Sequence, residues 1–161
     1  MICFDTHVLI WGVQGVARNG QEHLVAKAKQ YIRHLDAKHE RIMVPAPVVG
    51  EYLIGFDDKD RDAQQELLQR LFFVPALDMH AATVQAKIEG NKELLRELRD
   101  RFGLDRQQIR IDAQILAVAI VNNADRVISH DPHMLILAQG RVAVGELPDI
   151  HEQMNLSFRA K

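Results

Sequence analysis

The sequence predicts an α/β fold in which a central parallel β-sheet is flanked by α-helices on both faces. Three observations carry this. Short apolar runs, "MICF", "RIMV" and "RVIS", alternate with longer segments of helical periodicity, and strands separated by helices form parallel sheets covered on both faces. The strand runs end in Asp, Pro or Ser, residues that stop extended pairing. With 161 residues, 47% of them hydrophobic, the chain suits one domain with a core of its own, spanning 1–161.

Each element follows from its local pattern. "MICF" ends at Asp5, and "THVLIWGV" behind it reads as helical with Thr6 available to cap. "QEHLVAKAKQYIRHLDAKH" places Leu24, Ala28, Ile32 and Leu35 on one helical face. "RIMVPAP" is a second strand closed by prolines, and Pro47 suits the first turn of the helix "VVGEYLIGF". "DAQQELLQRL" predicts a helix and "FFVPAL" a third strand. "MHAATVQAKIEGNKELLRELRDRFG" is a long helical stretch with a break expected near Gly90. A buried helix follows from about Ile109, then the strand "RVIS", the helix "PHMLILAQ" and a last short strand "RVAVG". There is no internal repeat, low-complexity segment or linker; "FDDKDRD" reads as a surface loop and helix start.

Composition excludes several classes. A formal net charge of −2 argues against strong nonspecific nucleic-acid binding, which grows with the number of phosphates neutralised, but not against a nuclease that holds its substrate briefly. The single cysteine, Cys3, cannot form an internal disulfide. No apolar run approaches a membrane span, and "MICFDTHVLIWG" lacks the basic start and cleavage site of a secretory signal. The expected location is the cytoplasm, with no membrane association.

Four acids stand out on this frame. Asp5 and Asp131 each follow a strand, and the carboxyl ends of parallel strands line the crevice where ligands bind. Glu51 lies about one turn into its helix beside Val48 and Tyr52, and Asp112 shares a face with Ile115, Leu116 and Ala119. Singly, each has an ordinary explanation: Asp5 as a helix cap, Asp131 before Pro132 as a helix start, Glu51 as a half-exposed helix residue, Asp112 as a cap. Asp112 fits its explanation least well, since a carboxylate on an inward apolar face needs a partner. Together, four carboxylates around one crevice suit magnesium or manganese, hard cations that keep waters for a substrate phosphate to replace.

Other groups are weighed against that site. Cys3 is expected to be buried and inert, and a Ser129-His130-Asp131 triad fails because neighbours in an extended segment point to opposite faces. Arg110, two residues before Asp112, is a candidate phosphate clamp at a helix start, with a solvated arginine as the competing reading. His7, His130 and His133 lie near the acids in sequence, though magnesium prefers oxygen. Lys92, Arg96 and Arg99 share a helical face that could guide RNA, but the interleaved Glu93, Glu97 and Asp100 favour a solvated, salt-bridged surface.

Four segments, "ICFDTHVLI", "VPAPVVGEYL", "IRIDAQILAVAI" and "DRVISHDPHM", resemble the PIN-domain nuclease family, including the VapC-like toxin ribonucleases of toxin–antitoxin pairs. They occur in the family's order across nearly the whole chain. The resemblance puts the family's acids on Asp5, Glu51, Asp112 and Asp131, and its site-ordering hydroxyls on Thr6 and Ser129. It implies Mg2+- or Mn2+-dependent endoribonuclease cleavage of single-stranded RNA, a cognate antitoxin in a type II pair, and a homodimer. The alternatives are a freestanding RNA-processing PIN nuclease and a catalytically silent PIN-like interaction module. A phosphohydrolase with an aspartyl nucleophile is a further reading, disfavoured because His7 stands where a second Asp is needed. Two features depart from the family pattern: "GNKELLRELRDRFGLDRQQ" is longer than the minimal form, and "SHD" replaces the more usual threonine-containing turn.

Overall fold

A computed structural model describes residues 1–150. Strands β1 (Ile2–Phe4), β2 (Ile42–Met43), β3 (Arg126–Ile128) and β4 (Ala143–Gly145) form one parallel sheet in the order β2-β1-β3-β4. Helices α1 (Thr6–Leu9), α2 (Glu22–Ala37), α3 (Ala46–Ile54), α4 (Asp58–Leu71), α5 (Met79–Glu89), α6 (Lys92–Phe102), α7 (Arg106–Val121) and α8 (Pro132–Ala138) flank it. A π-helical turn, Ile10–Gln14, extends α1. Among the described residues, no helix is long and apolar enough to cross a membrane.

The predicted α/β architecture is observed, with instructive differences. "FFVPAL" makes a single bridge, Phe73 to Met43, in place of a strand. Phe73 donates to the Ile42 carbonyl and accepts from the Val44 amide, but Pro75 has no N–H to continue the ladder. The long stretch breaks at Gly90 as expected, where Asn91 caps α6 by accepting from the Leu94 amide. Asp5, not Thr6, occupies the cap position of α1 and accepts from the Thr6 amide. Helix α7 begins three residues before Ile109, because Asp105 and Gln108 form a reciprocal capping box. Asp112 therefore lies in the second turn and caps nothing.

The core explains why α7 is so apolar. Ile109, Ala113, Leu116 and further residues of α7 are buried, packed against α5 on one side and against α3 and α8 on others. Helix α2 buries Leu24, Ala28, Tyr31 and Leu35, while Ile32 sits at the margin. There Gly12 admits the π turn closely: a Cβ on it would lie 2.5 Å from the Ile32 Cδ1.

Candidate functional site

The sheet itself brings the first acid into place. At the carboxyl edge the Asp5 amide donates to the Ile128 carbonyl at 3.1 Å and the Ser129 amide to the Gly145 carbonyl at 2.9 Å. Asp5 and Ser129 thus leave adjacent strands side by side. The Ser129 hydroxyl donates to Asp5 Oδ2 at 2.6 Å, and the Thr6 amide donates to Asp5 Oδ1 at 2.7 Å. Asp5 is only 4% exposed, so these bonds are what make its burial tolerable.

The other acids arrive on helices packed around that edge. Helix α3 packs on α1 and carries Glu51, whose Oε2 accepts from the Thr6 hydroxyl at 2.5 Å. Asp112, on α7, shares a 2.8 Å bond with Nε2 of the buried His133 in the first turn of α8. Asp131 opens α8 without capping it; its carboxylate lies 3.6 Å from His7 Nδ1, and its amide donates to the Ser129 hydroxyl at 3.2 Å. All four acids, with Arg18, Gln107 and Gln108, line one cleft of about 750 Å³.

Desolvation and like charge govern the electrostatics. Burial is the main reason the Asp5 carboxyl rises from its ordinary 3.8 to about 6; the charges of Asp112 and Asp131 add to it, against the bonds from Ser129 and Thr6. The nearby His7 imidazole holds Asp131 below the usual carboxylate range, and the same close pairing raises His7. For His133, burial favours the neutral ring, but the hydrogen bond and charge of Asp112, with Asp131 and Asp5 behind them, outweigh it and raise the group. Positive charge is thus drawn to both imidazoles bordering the acids.

A cation fits this donor set. Ligand atoms of Asp5, His7 and Asp131 all lie within 4.8 Å of one another. Two carboxylate oxygens and one imidazole nitrogen suit a divalent ion, and the crowding that pushes Asp5 upward is what such an ion would relieve. Glu51 and Asp112 line the same cleft outside that triplet.

The six predicted acids and hydroxyls are therefore brought together, and Arg110 is not. Two residues along a helix turn a side chain by about 200°, so with Asp112 in the cleft Arg110 points toward α5, where its Nε lies 3.8 Å from Glu89. The cation that does line the cleft is Arg18, from the loop after the π turn. Nothing in its local sequence marks it. His133 was visible as a nearby histidine, but its bond to Asp112 depends on the packing of α8 on α7.

The remaining candidates behave as the chemistry of their surroundings requires. Cys3 is fully buried, and burial together with the Asp5 charge pushes its thiol well above the ordinary range, leaving it inert. His130 turns away from Ser129 and stacks edge-on to Trp11 at 5.0 Å, accepting from the Leu147 amide. A second groove of about 730 Å³ runs along the β2 edge, but its acids do not converge: Glu40 pairs with the amino terminus.

Comparison with known proteins agrees with this geometry. No curated protein sequence matches the chain. Among solved structures, the chain is similar to the VapBC2 complex of Rickettsia felis bound to a promoter DNA fragment, with a TM-score of 0.61 and 14% identity, covering 92% of this chain and 100% of that one. It is also similar to a toxin–antitoxin complex from Klebsiella pneumoniae, with a TM-score of 0.58 and 18% identity, covering 93% of this chain and 100% of that one. At such identities the likeness is one of fold. The PIN domain family model matches residues 2–139, so the parallel sheet with an acidic cleft at its carboxyl edge is that of a member of the PIN domain family.

Proposed function

We propose that the chain is a metal-dependent endoribonuclease that hydrolyses phosphodiester bonds in single-stranded RNA, and that it serves as the toxin of a type II toxin–antitoxin pair. One observation carries the reading: in a PIN domain, Asp5, Glu51, Asp112 and Asp131 converge on one cleft, with Asp5 buried beside two like charges. A Mg2+ or Mn2+ ion bound there would offset phosphate charge and activate water for attack. The chain's own residues do the rest. Asp5, Glu51, Asp112 and Asp131 would hold the ion, with His7 close enough to Asp5 and Asp131 to join them. Ser129 and Thr6 fix the Asp5 carboxylate through its two oxygens, and Thr6 also ties Glu51 to the same edge. Arg18, on the rim, is the cation available to a substrate phosphate, a role for which Arg110 is badly aimed.

Cleavage of a single-stranded RNA by the purified protein tests this reading. Activity is expected with Mg2+ or Mn2+ and absent in chelator. Asp5→Asn and Asp112→Asn should each reduce the rate by at least about 100-fold, the scale on which lost charge stabilisation is felt. Undiminished cleavage by both variants sinks the site assignment, and hydrolysis of small phosphomonoesters would favour the phosphohydrolase reading.

The antitoxin and homodimer belong to the same proposal. The VapBC2 complex and the Klebsiella pneumoniae complex are toxin–antitoxin assemblies, and an acidic cleft is the natural target of an inhibitor's basic side chain. Co-expression with the product of the adjoining reading frame should yield a complex that has lost cleavage, in the cytoplasm where both are made. A complex that still cuts at full rate removes the antitoxin and leaves a freestanding RNA-processing nuclease. Sedimentation of the purified protein checks the dimer.

A further inference from the structure

A second charged feature lies where α6 meets the start of α7. Lys92, Arg96 and Arg99 sit at offsets of four and three on α6, and with Arg106 from the first turn of α7 they line a groove of about 310 Å³. Leu95 and Ile109 supply its apolar lining. Among the described residues, none of the interleaved acids Glu93, Glu97 and Asp100 forms an ion pair with these cations. Glu97 is 3.9 Å from Arg101, on a different part of α6. Asp105 is engaged in capping α7. Glu89, the acid that does line the groove, accepts from Gln85 at 2.7 Å and faces Arg110 at 3.8 Å. Among the described residues none of the four cations has an ion pair; the Arg99 Nε donates to the Leu95 carbonyl of its own helix.

Four like charges gathered around a single acid, Glu89, on a chain of net charge −2 repel one another, and Arg106 additionally faces the positive end of its own helix dipole. Such a cluster is complementary to a polyanion. Its position indicates which one. Arg106 and Asp112 are six residues apart on α7, about 9 Å along the axis, and Phe102 at the end of α6 already lines the acidic cleft. A chain carrying a negative charge on every unit could lie in the groove and continue past the start of α7 into the cleft; a compact anion could not.

We infer that the α6–α7 groove holds the phosphate backbone of single-stranded RNA on the flank of the scissile bond, through Lys92, Arg96, Arg99 and Arg106. This rests on the reading of the cleft as a ribonuclease site, and it gives the lengthened segment before α7 a task. The contacts are charge on phosphate, so they position the strand without reading its bases.

The test is the binding of a fluorescein-labelled single-stranded oligoribonucleotide to the full chain in EDTA, followed by anisotropy across a potassium chloride series. Each phosphate contact contributes about −0.7 to the slope of log K against log salt for single strands. The combined Lys92→Gln, Arg96→Gln, Arg99→Gln, Arg106→Gln variant should therefore show a slope shallower by about 3 and an affinity lower by at least about tenfold at 0.1 M salt. Arg96→Gln alone should change the slope by about 0.7, and Arg96→Lys should restore it. Lys38→Gln with Lys59→Gln, exposed just after α2 and on α4, should leave it unchanged. With metal, a long substrate should show a raised KM at unaltered kcat in the combined variant, and a dinucleotide that reaches only the cleft should be cut as by wild type. An unchanged slope in the combined variant, or no RNA binding in EDTA, overturns the groove even where cleavage is intact. Equal loss of dinucleotide cleavage overturns it as well, by assigning the residues to the fold. RNA binding that ignores the variant while a labelled oligoglutamate loses its binding assigns the groove to an acidic protein instead. Loss of all cleavage with the salt slopes as expected refutes the nuclease and keeps the groove.

Discussion

Replacing Asp5 by Asn should make the metal-free protein more stable at neutral pH. The carboxyl rises from 3.8 to about 6 because folding strips its water and sets it beside Asp112 and Asp131. A raised acid binds its proton more tightly folded than unfolded, so its contribution is fully present below about pH 4 and is lost as pH climbs through about 6. Two units correspond to about 3 kcal/mol, an upper bound because neighbouring charges titrate together. Asparagine keeps the shape: its carbonyl oxygen can still accept from the Thr6 amide, but its NH2 can only donate, so the Ser129 bond must reverse and part of the gain is returned there. A net gain of about 1–3 kcal/mol, or roughly 3–10 °C for a chain of this length, is expected at pH 7.5 in EDTA. At pH 4.5 the folded wild-type carboxyl is protonated while the unfolded one is still largely ionised, and the gap should shrink to about a third. Urea unfolding of both proteins at the two pH values, with EDTA and with Mn2+, measures this. Metal should raise the wild type more than the variant, since a ligand of the native state stabilises by mass action. A gap of the same size at both pH values, or a variant less stable at pH 7.5, refutes the claim that Asp5 is held ionised against its surroundings.

Two further outcomes follow from the same site. Ser129→Ala removes a bond that holds Asp5 down and leaves a buried carboxylate short of a donor; the loss should be about 1–3 kcal/mol at pH 7.5 and smaller at pH 4.5, where the protonated acid needs less support. Equal loss at both pH values in urea titrations would give Ser129 a packing role only. In metal-free protein, His7 should titrate above 6.5 because the nearby Asp131 favours its charged form, and His130 below 6.5 because burial disfavours charge. Histidine NMR titrations read both directly, and the reverse order contradicts the placement of His7 beside Asp131.

The sequence by itself determined the alternation of strand and helix, the break at Gly90 and the identity of the acids, because each is written locally. Helical periodicity, a strand-ending aspartate and an apolar face interrupted by Asp112 depend on residues a few positions apart. Helix starts were legible only roughly, since Asp105 and Gln108 cap α7 through a reciprocal pair that competes with any other polar residue nearby. What only the tertiary structure decided was direction. Asp112 and Arg110 are two residues apart, yet packing of α7 on α5 and α8 sends one to the cleft and the other to Glu89. Arg18 reaches the acids from a loop whose course no local pattern fixes. The cations of α6 alternate with acids in the sequence, yet among the described residues Lys92, Arg96 and Arg99 form no ion pair, and folding adds Arg106 from the neighbouring helix. Side-chain chemistry is carried by the residue, but which charges meet is set by contacts distant in the chain, and only folding brings those about.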